Sequence, residues 1–183
     1  MAGKAVELDP GSSLAHWVLA SAKMQSGELE QAEAEYDRAI VLNSNSAGVL
    51  ADSAEVLVYL GRIDEAVARI QSAIRLNPHH PDWYLWTLAW AQYFAGNFEG
   101  GLASIQQMAK IPNLARRTQA ALFVQLDRVE EAKAAIDELL ANEPGYTIEN
   151  QMHSLEGKFR DPKAAERFID DLRKAGLPGQ ESQ

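Results

Sequence analysis

The side chains best suited to chemistry fall in a few short stretches. His79 and His80 open the run HHPD (79–82), where imidazole and the Asp82 carboxylate are ligand types for a divalent metal. Two adjacent histidines with one carboxylate nearby and no cysteine make a weak ligand set, so a solvated turn is expected there and no metal. The pair Arg116–Arg117 could grip a carboxylate or phosphate through forked hydrogen bonds, or could be a solvated helix face. Glutamates such as Glu130 and Glu131 read as a soluble face. No G-x-S-x-G, phosphate-loop or H-E-x-x-H pattern occurs, and the glycines sit at turns. No catalytic residue and no cofactor are therefore expected. What remains is PDWYLWTLAWAQYF (81–94), in which six of 14 residues are aromatic and three of the four tryptophans fall. Rings of this type suit contact with a polypeptide better than chemistry.

Composition narrows the partners. The 183 residues are 46% hydrophobic, enough for a packed core, and carry a formal charge of −9, the wrong sign for tracking a phosphate backbone. Nucleic acid is disfavoured. With no cysteine, neither a disulfide frame nor a thiolate metal site can form. No apolar run reaches the roughly 18 residues of a membrane span, and MAGKAVELDPGSS lacks a long apolar segment of the secretory kind. A cytoplasmic protein without membrane contact is expected.

The elements that position these residues repeat. GELEQAEAEYDRAIVLNS (27–44) aligns with GRIDEAVARIQSAIRLNP (61–78) at an offset of 34, placing Gly27 on Gly61, Ala32 on Ala66, Ala39 on Ala73 and Leu42 on Leu76. GNFEGGLASIQQMAKIPN (96–113) follows at 35 and DRVEEAKAAIDELLANEP (127–144) at 31, with Gly101 and Ala132 at the small-residue position. Met108 and Leu139 depart from the second small position, and the shortfall before the last unit is expected in the turn preceding its first helix. The glycine ends a first helix in the left-handed region, and the small residue lets two helices cross closely. Pro10, Pro78 and Pro144 stop the second helix. This pattern, across about residues 4 to 144, resembles the tetratricopeptide repeat. It implies an all-α right-handed α-solenoid of helix-turn-helix repeats, because one unit cannot bury its apolar stripe alone.

The expected division is the tail of a truncated repeat at 1–12, repeats at 13–46, 47–80, 81–112 and 113–146, capping helices at 147–178 and a disordered tail at 179–183. KAVELDP (4–10) matches only the end of a unit, which reads as a piece of a longer array or as an array whose first helix is frayed. In the cap, Asp161–Pro162 is a helix start and Gly176 with Pro178 a stop, with Phe168, Ile169 and Leu172 at helical spacing between them.

Residues 76 to 178 show a further resemblance. HHPDWYLWTLAWAQYFAGNFEGGLA, EPGYTIEN and above all DDLRKAGLP are similar to the C-terminal repeat regions of bacterial class III adenylate or guanylate cyclases and of TolB-like or winged-helix multidomain regulators. That resemblance implies a regulatory region that docks on an upstream domain of its own polypeptide or self-associates. It carries over no catalytic position. Gly100–Gly101 departs from it and should weaken the second helix of the third repeat by about 1 kcal/mol per glycine.

Repeat register puts Leu85, Leu88 and Ala89 against the paired helix and leaves Trp83, Trp86, Trp90 and Tyr93 on one stripe, at spacings of three, four and three. The same face of the other first helices contributes Trp17, Ser21 and Met24, then Asp52, Glu55 and Tyr59, then Arg117 and Val124. In a solenoid of this kind that face lines the concave surface, so Trp17, Met24, Glu55, Tyr59, Trp83, Trp86, Trp90, Tyr93 and Arg117 form the candidate partner groove. The lysine and asparagine with which some such repeats clamp a C-terminal carboxylate are replaced by Trp17, Ser21, Ala51 and Glu55. Three occupants stay open: a peptide or domain of a partner protein, the chain's own C-terminal helices, and a second copy. A tryptophan stripe left bare would be a liability.

Overall fold

A regular alternation of apolar stripe, glycine stop and proline stop runs along the chain, and the helices follow it. A computed structural model describes residues 2–179, so all of the expected tail but Gly179 lies outside the described residues. Eleven helices and no strand occur among the described residues: α1 (Ala2–Leu8), α2 (Ser13–Gln25), α3 (Leu29–Leu42), α4 (Ala47–Tyr59), α5 (Ile63–Leu76), α6 (Trp83–Phe94), α7 (Phe98–Gln106), α8 (Asn113–Gln125), α9 (Val129–Asn142), α10 (Ile148–Leu155) and α11 (Pro162–Lys174). The chain is all-α.

Helices pair as α2 with α3, α4 with α5, α6 with α7 and α8 with α9. Gly27, Gly61 and Gly96 turn each pair with φ between 75° and 79°, and Asp127 does the same work at φ 57° in the last. Aspartate is among the few side chains that visit this region. At the crossing inside each pair, Ala32, Ala66 and Ala132 are completely buried. Gly101 goes further: a Cβ there would stand 2.7 Å from Leu122 Cδ2 of α8. The glycine that looked like a propensity defect is what lets Leu122 close the core.

The 31-residue spacing has a different origin from the one expected. The connection 107–112 is as long as 77–82, whereas α7 has nine residues against 14 in α3, α5 and α9. The missing residues are lost from the second helix of the third unit. Gly100 and Gly101 near its start weaken it, and Pro112 fixes where α8 can begin.

First helices stack side by side, α2 on α4, α4 on α6 and α6 on α8, and their shared face is the one expected to line the concave surface of the solenoid. Beyond α9 the chain turns back. The Thr147 side chain accepts from the Asn150 backbone N–H in a capping box that starts α10, and Asp161 caps α11 through Lys163 N at 3.1 Å with Pro162 in the first turn. Helix α11 then packs against α8 as well as α10, and Ile148 N donates to Pro178 O at 2.8 Å to close the cap.

Candidate functional site: a concave face divided in two

The concave face begins with polar ties that set its floor. Asp52 Oδ2 of α4 accepts from Trp17 Nε1, Ser21 Oγ and Tyr36 Oη, each at 2.7 Å. One carboxylate thereby fixes α2, α3 and α4, and its charge helps hold the Tyr36 phenol well above its ordinary value, burial being the larger cause. The Trp17 ring lies across α4 at Gly48, where a Cβ would come within 2.9 Å of Cη2. One turn along, Tyr59 Oη donates to Glu55 Oε1 at 2.6 Å, and burial raises the Glu55 carboxyl above its usual range.

The far half of the face is filled by the chain itself. Phe159, in the link between α10 and α11, stands edge-on to Tyr59 with ring centroids 5.0 Å apart and meets Phe94 at 5.2 Å. Phe168 of α11 stands edge-on to Trp90 at 4.9 Å and to Tyr93 at 5.4 Å. The Arg160 amide donates to Tyr59 O at 2.9 Å, and its guanidinium pairs with Glu30 of α3. Asp171, wholly buried, accepts from Tyr93 Oη and Gln125 Nε2 at 2.6 Å each. Arg167 lies over the Tyr93 ring, 5.3 Å from its centroid. Each large ring taken out of water here contributes about 2–3 kcal/mol.

Residues 1–47 and 52–113 match the family model of the tetratricopeptide repeat, more than half of the chain. The chain belongs to the tetratricopeptide repeat (TPR) family. Solved TPR structures share the right-handed solenoid over most of this chain. The thermophilic TPR protein TTC0263 of Thermus thermophilus aligns with a TM-score of 0.71 at 18% identity, over 94% of this chain and 87% of its own. PilF of Pseudomonas aeruginosa aligns at 0.66 and 21% identity over 96% and 81%. YrrB, a TPR protein with an unusual peptide-binding site, aligns at 0.61 and 19% identity over 96% and 90%. No curated protein matches the chain. TPR proteins are protein-interaction scaffolds, and this chain has their architecture.

Within the TPR frame the candidate groove residues separate. Met24, Tyr59, Trp90 and Tyr93 are buried, the last two 3% and 0% exposed beneath Phe168. Glu55, Trp86 and Arg117 are half-buried around a cleft of about 230 Å³ that Lys158 and Gln151 also line. Arg117 is already engaged, donating to Tyr146 Oη and to Gln151 Oε1 at 2.9 Å, and Trp86 Nε1 reaches Thr118 Oγ1 at 3.3 Å. Arg116 pairs with Glu138 of α9. Trp17 and Trp83 remain at the open end, where Leu14, Val18 and Trp83 are exposed around a hollow of about 570 Å³.

Elsewhere, His79 is exposed and His80 stacks on Tyr84 at 5.4 Å, while among the described residues no cluster of three or more His, Asp or Glu could hold a metal. Among the described residues no helix is long and apolar enough to cross a membrane. Sequence reasoning missed Phe159 and Arg160, the residues that plug the groove. Their only signal was an aromatic flanked by charges, KFRD, in a stretch without period. It also missed the partly buried pair His16–Glu35, 2.6 Å apart, which ties α2 to α3.

Proposed function

We propose that the chain is a non-catalytic scaffold that takes an extended segment of a partner protein on the open end of its concave face, with Trp17 and Trp83 as anchors. The observation that carries this reading is the exposed apolar group Leu14, Val18 and Trp83, set beside a Trp17 ring held in place by Asp52. Large rings pinned before binding lose little entropy on binding, which is why tryptophans dominate interface energetics. Asp52 and Ser21 at the hollow's floor offer polar partners to a bound backbone. The structural likeness to a peptide-binding TPR protein supports the class of ligand, not its identity.

The resemblance of residues 76 to 178 to cyclase-linked repeat regions supports a second reading, docking on an upstream domain of the same polypeptide or self-association. In this structure the same-chain element on the groove is the segment holding Phe159 and Phe168, which lies within that stretch. Peptides selected from a displayed random library against the full chain test the scaffold reading. Trp83→Ala and Trp17→Ala should each weaken the selected peptides by about tenfold or more. Selected peptides that bind both variants as tightly as the parent would defeat it.

A further inference from the structure

Phe159 also lines a second hydrophobic opening. Helices α10 and α11 line a cleft of about 750 Å³. Its floor is apolar: Met152 and Leu155 of α10, Ala165 and Ile169 of α11, and Phe159 at its end. Met152 is 48% exposed. The rim carries carboxylates on both walls, Glu149 and Glu156 on the α10 side and Glu166 and Asp170 on the α11 side, against His153 and Arg173. Arg173 is already paired with Asp170 at 2.6 Å.

We propose that this cleft docks a helix of another protein whose apolar stripe is flanked by lysine or arginine. Two apolar rows at i, i+3 and i, i+4 spacing, one on each helix, form ridges and a groove that a third helix fills with its own stripe. Acidic residues flanking such a seam stand where flanking charges choose the partner in coiled coils, and here they choose a basic one. A second copy of this chain is a poor occupant, because it brings a formal charge of −9 to an acidic rim. This site is independent of the Trp17–Trp83 end and shares no residue with it.

Two synthetic helical peptides of about three heptads test it, both with leucine along the stripe, one flanked by lysine and one by glutamate. Fluorescence anisotropy against the full chain at about 150 mM salt reads their affinities. The lysine peptide should bind and the glutamate peptide should not. Met152→Asp adds negative charge yet should weaken the lysine peptide about tenfold or more, because it spoils the apolar floor. Glu156→Lys with Glu166→Lys should weaken it similarly and let the glutamate peptide bind. Thermal unfolding of each variant, all altered at exposed positions, confirms that the fold survives. Met152→Asp binding as tightly as the parent would mean attraction to the chain's overall charge and would overturn the proposal. So would equal binding of both peptides, or a dimer in sedimentation that excludes them, which would make a second copy the occupant.

Discussion

Tyr93 and Asp171 stand 78 residues apart in sequence, and the Tyr93 hydroxyl donates to Asp171 Oδ2 at 2.6 Å inside the protein. Gln125 donates to the same oxygen and Lys174 reaches the other at 3.3 Å, so this carboxylate ties α6, α8 and α11 together. Burial, with the Asp171 charge behind it, holds the Tyr93 phenol far above its ordinary value, so it stays a donor across the working range. Asp171→Ala should cost about 3 kcal/mol in urea unfolding, because it strands the buried Tyr93 hydroxyl and the half-buried Gln125 amide. Tyr93→Phe should cost about 1 kcal/mol, and the double variant should cost less than the sum.

Gly101 and Gly100 are neighbours in α7 with opposite expected behaviour. Gly101→Ala meets Leu122 at 2.7 Å and should destabilise by about 1–3 kcal/mol. Placing Leu122→Ala in the same chain should cost less than the sum of the two single changes, since the clash disappears while the cavity remains. Gly100→Ala meets only the Asn97 side chain, which caps α7 through Gly100 N at 3.2 Å and can swing away. Its lost cap and gained helix propensity are each about 1 kcal/mol, so its midpoint should barely move.

Glu55 makes stability depend on pH in a definite direction. Its carboxyl lies above the ordinary value of 4.5 in the folded chain, first through burial and further through Asp52, with Tyr59 and Lys158 opposing. Between 4.5 and that raised value the folded state binds more protons than the unfolded one, so this group makes stability fall as pH rises through the window. Glu55→Gln should therefore be more stable than the parent near neutral pH, with the gap closing as pH drops towards 4.5. Paired melting curves across that range check it, and a gap that widens on acidification would reverse the assignment.

Phe159 should behave as a removable plug. Phe159→Ala deletes contacts to Tyr59, Trp90 and Phe94 and should cost about 3 kcal/mol. It should also expose the Glu156–Asp161 stretch to limited proteolysis while the repeats themselves stay resistant. Uniform loss of protection along the whole chain would mean that Phe159 supports the repeats rather than closing their groove.

The repeats were legible because each periodic position answers one physical demand: glycine at the turn, a small residue at the crossing, proline past the second helix. Even the exception at Asp127 obeys the demand and not the letter. The groove's state was not legible. Register alone put Trp90 and Tyr93 on the concave stripe, but what covers them is set by Phe159 and Phe168, which come from beyond the last periodic unit. Nor could spacing tell a short turn from a short helix, because both remove the same residues from the count. That choice fell to Gly100 and Gly101, and the steric role of Gly101 appears only when Leu122 is in place.

The division of the concave face rests most directly on one hydrogen bond. The Arg160 amide lies in the link between α10 and α11, and its acceptor is Tyr59 O, far back in the sequence at the end of α4. Hydrogen exchange of that amide in the full chain, read by NMR, decides whether the segment sits in the groove. Exchange about 100-fold or more slower than the unfolded-chain rate is the expected result, because opening must then undo the Phe159 contacts. Exchange at the unfolded-chain rate would contradict the account: the groove would be open, with Trp90 and Tyr93 free to meet a partner.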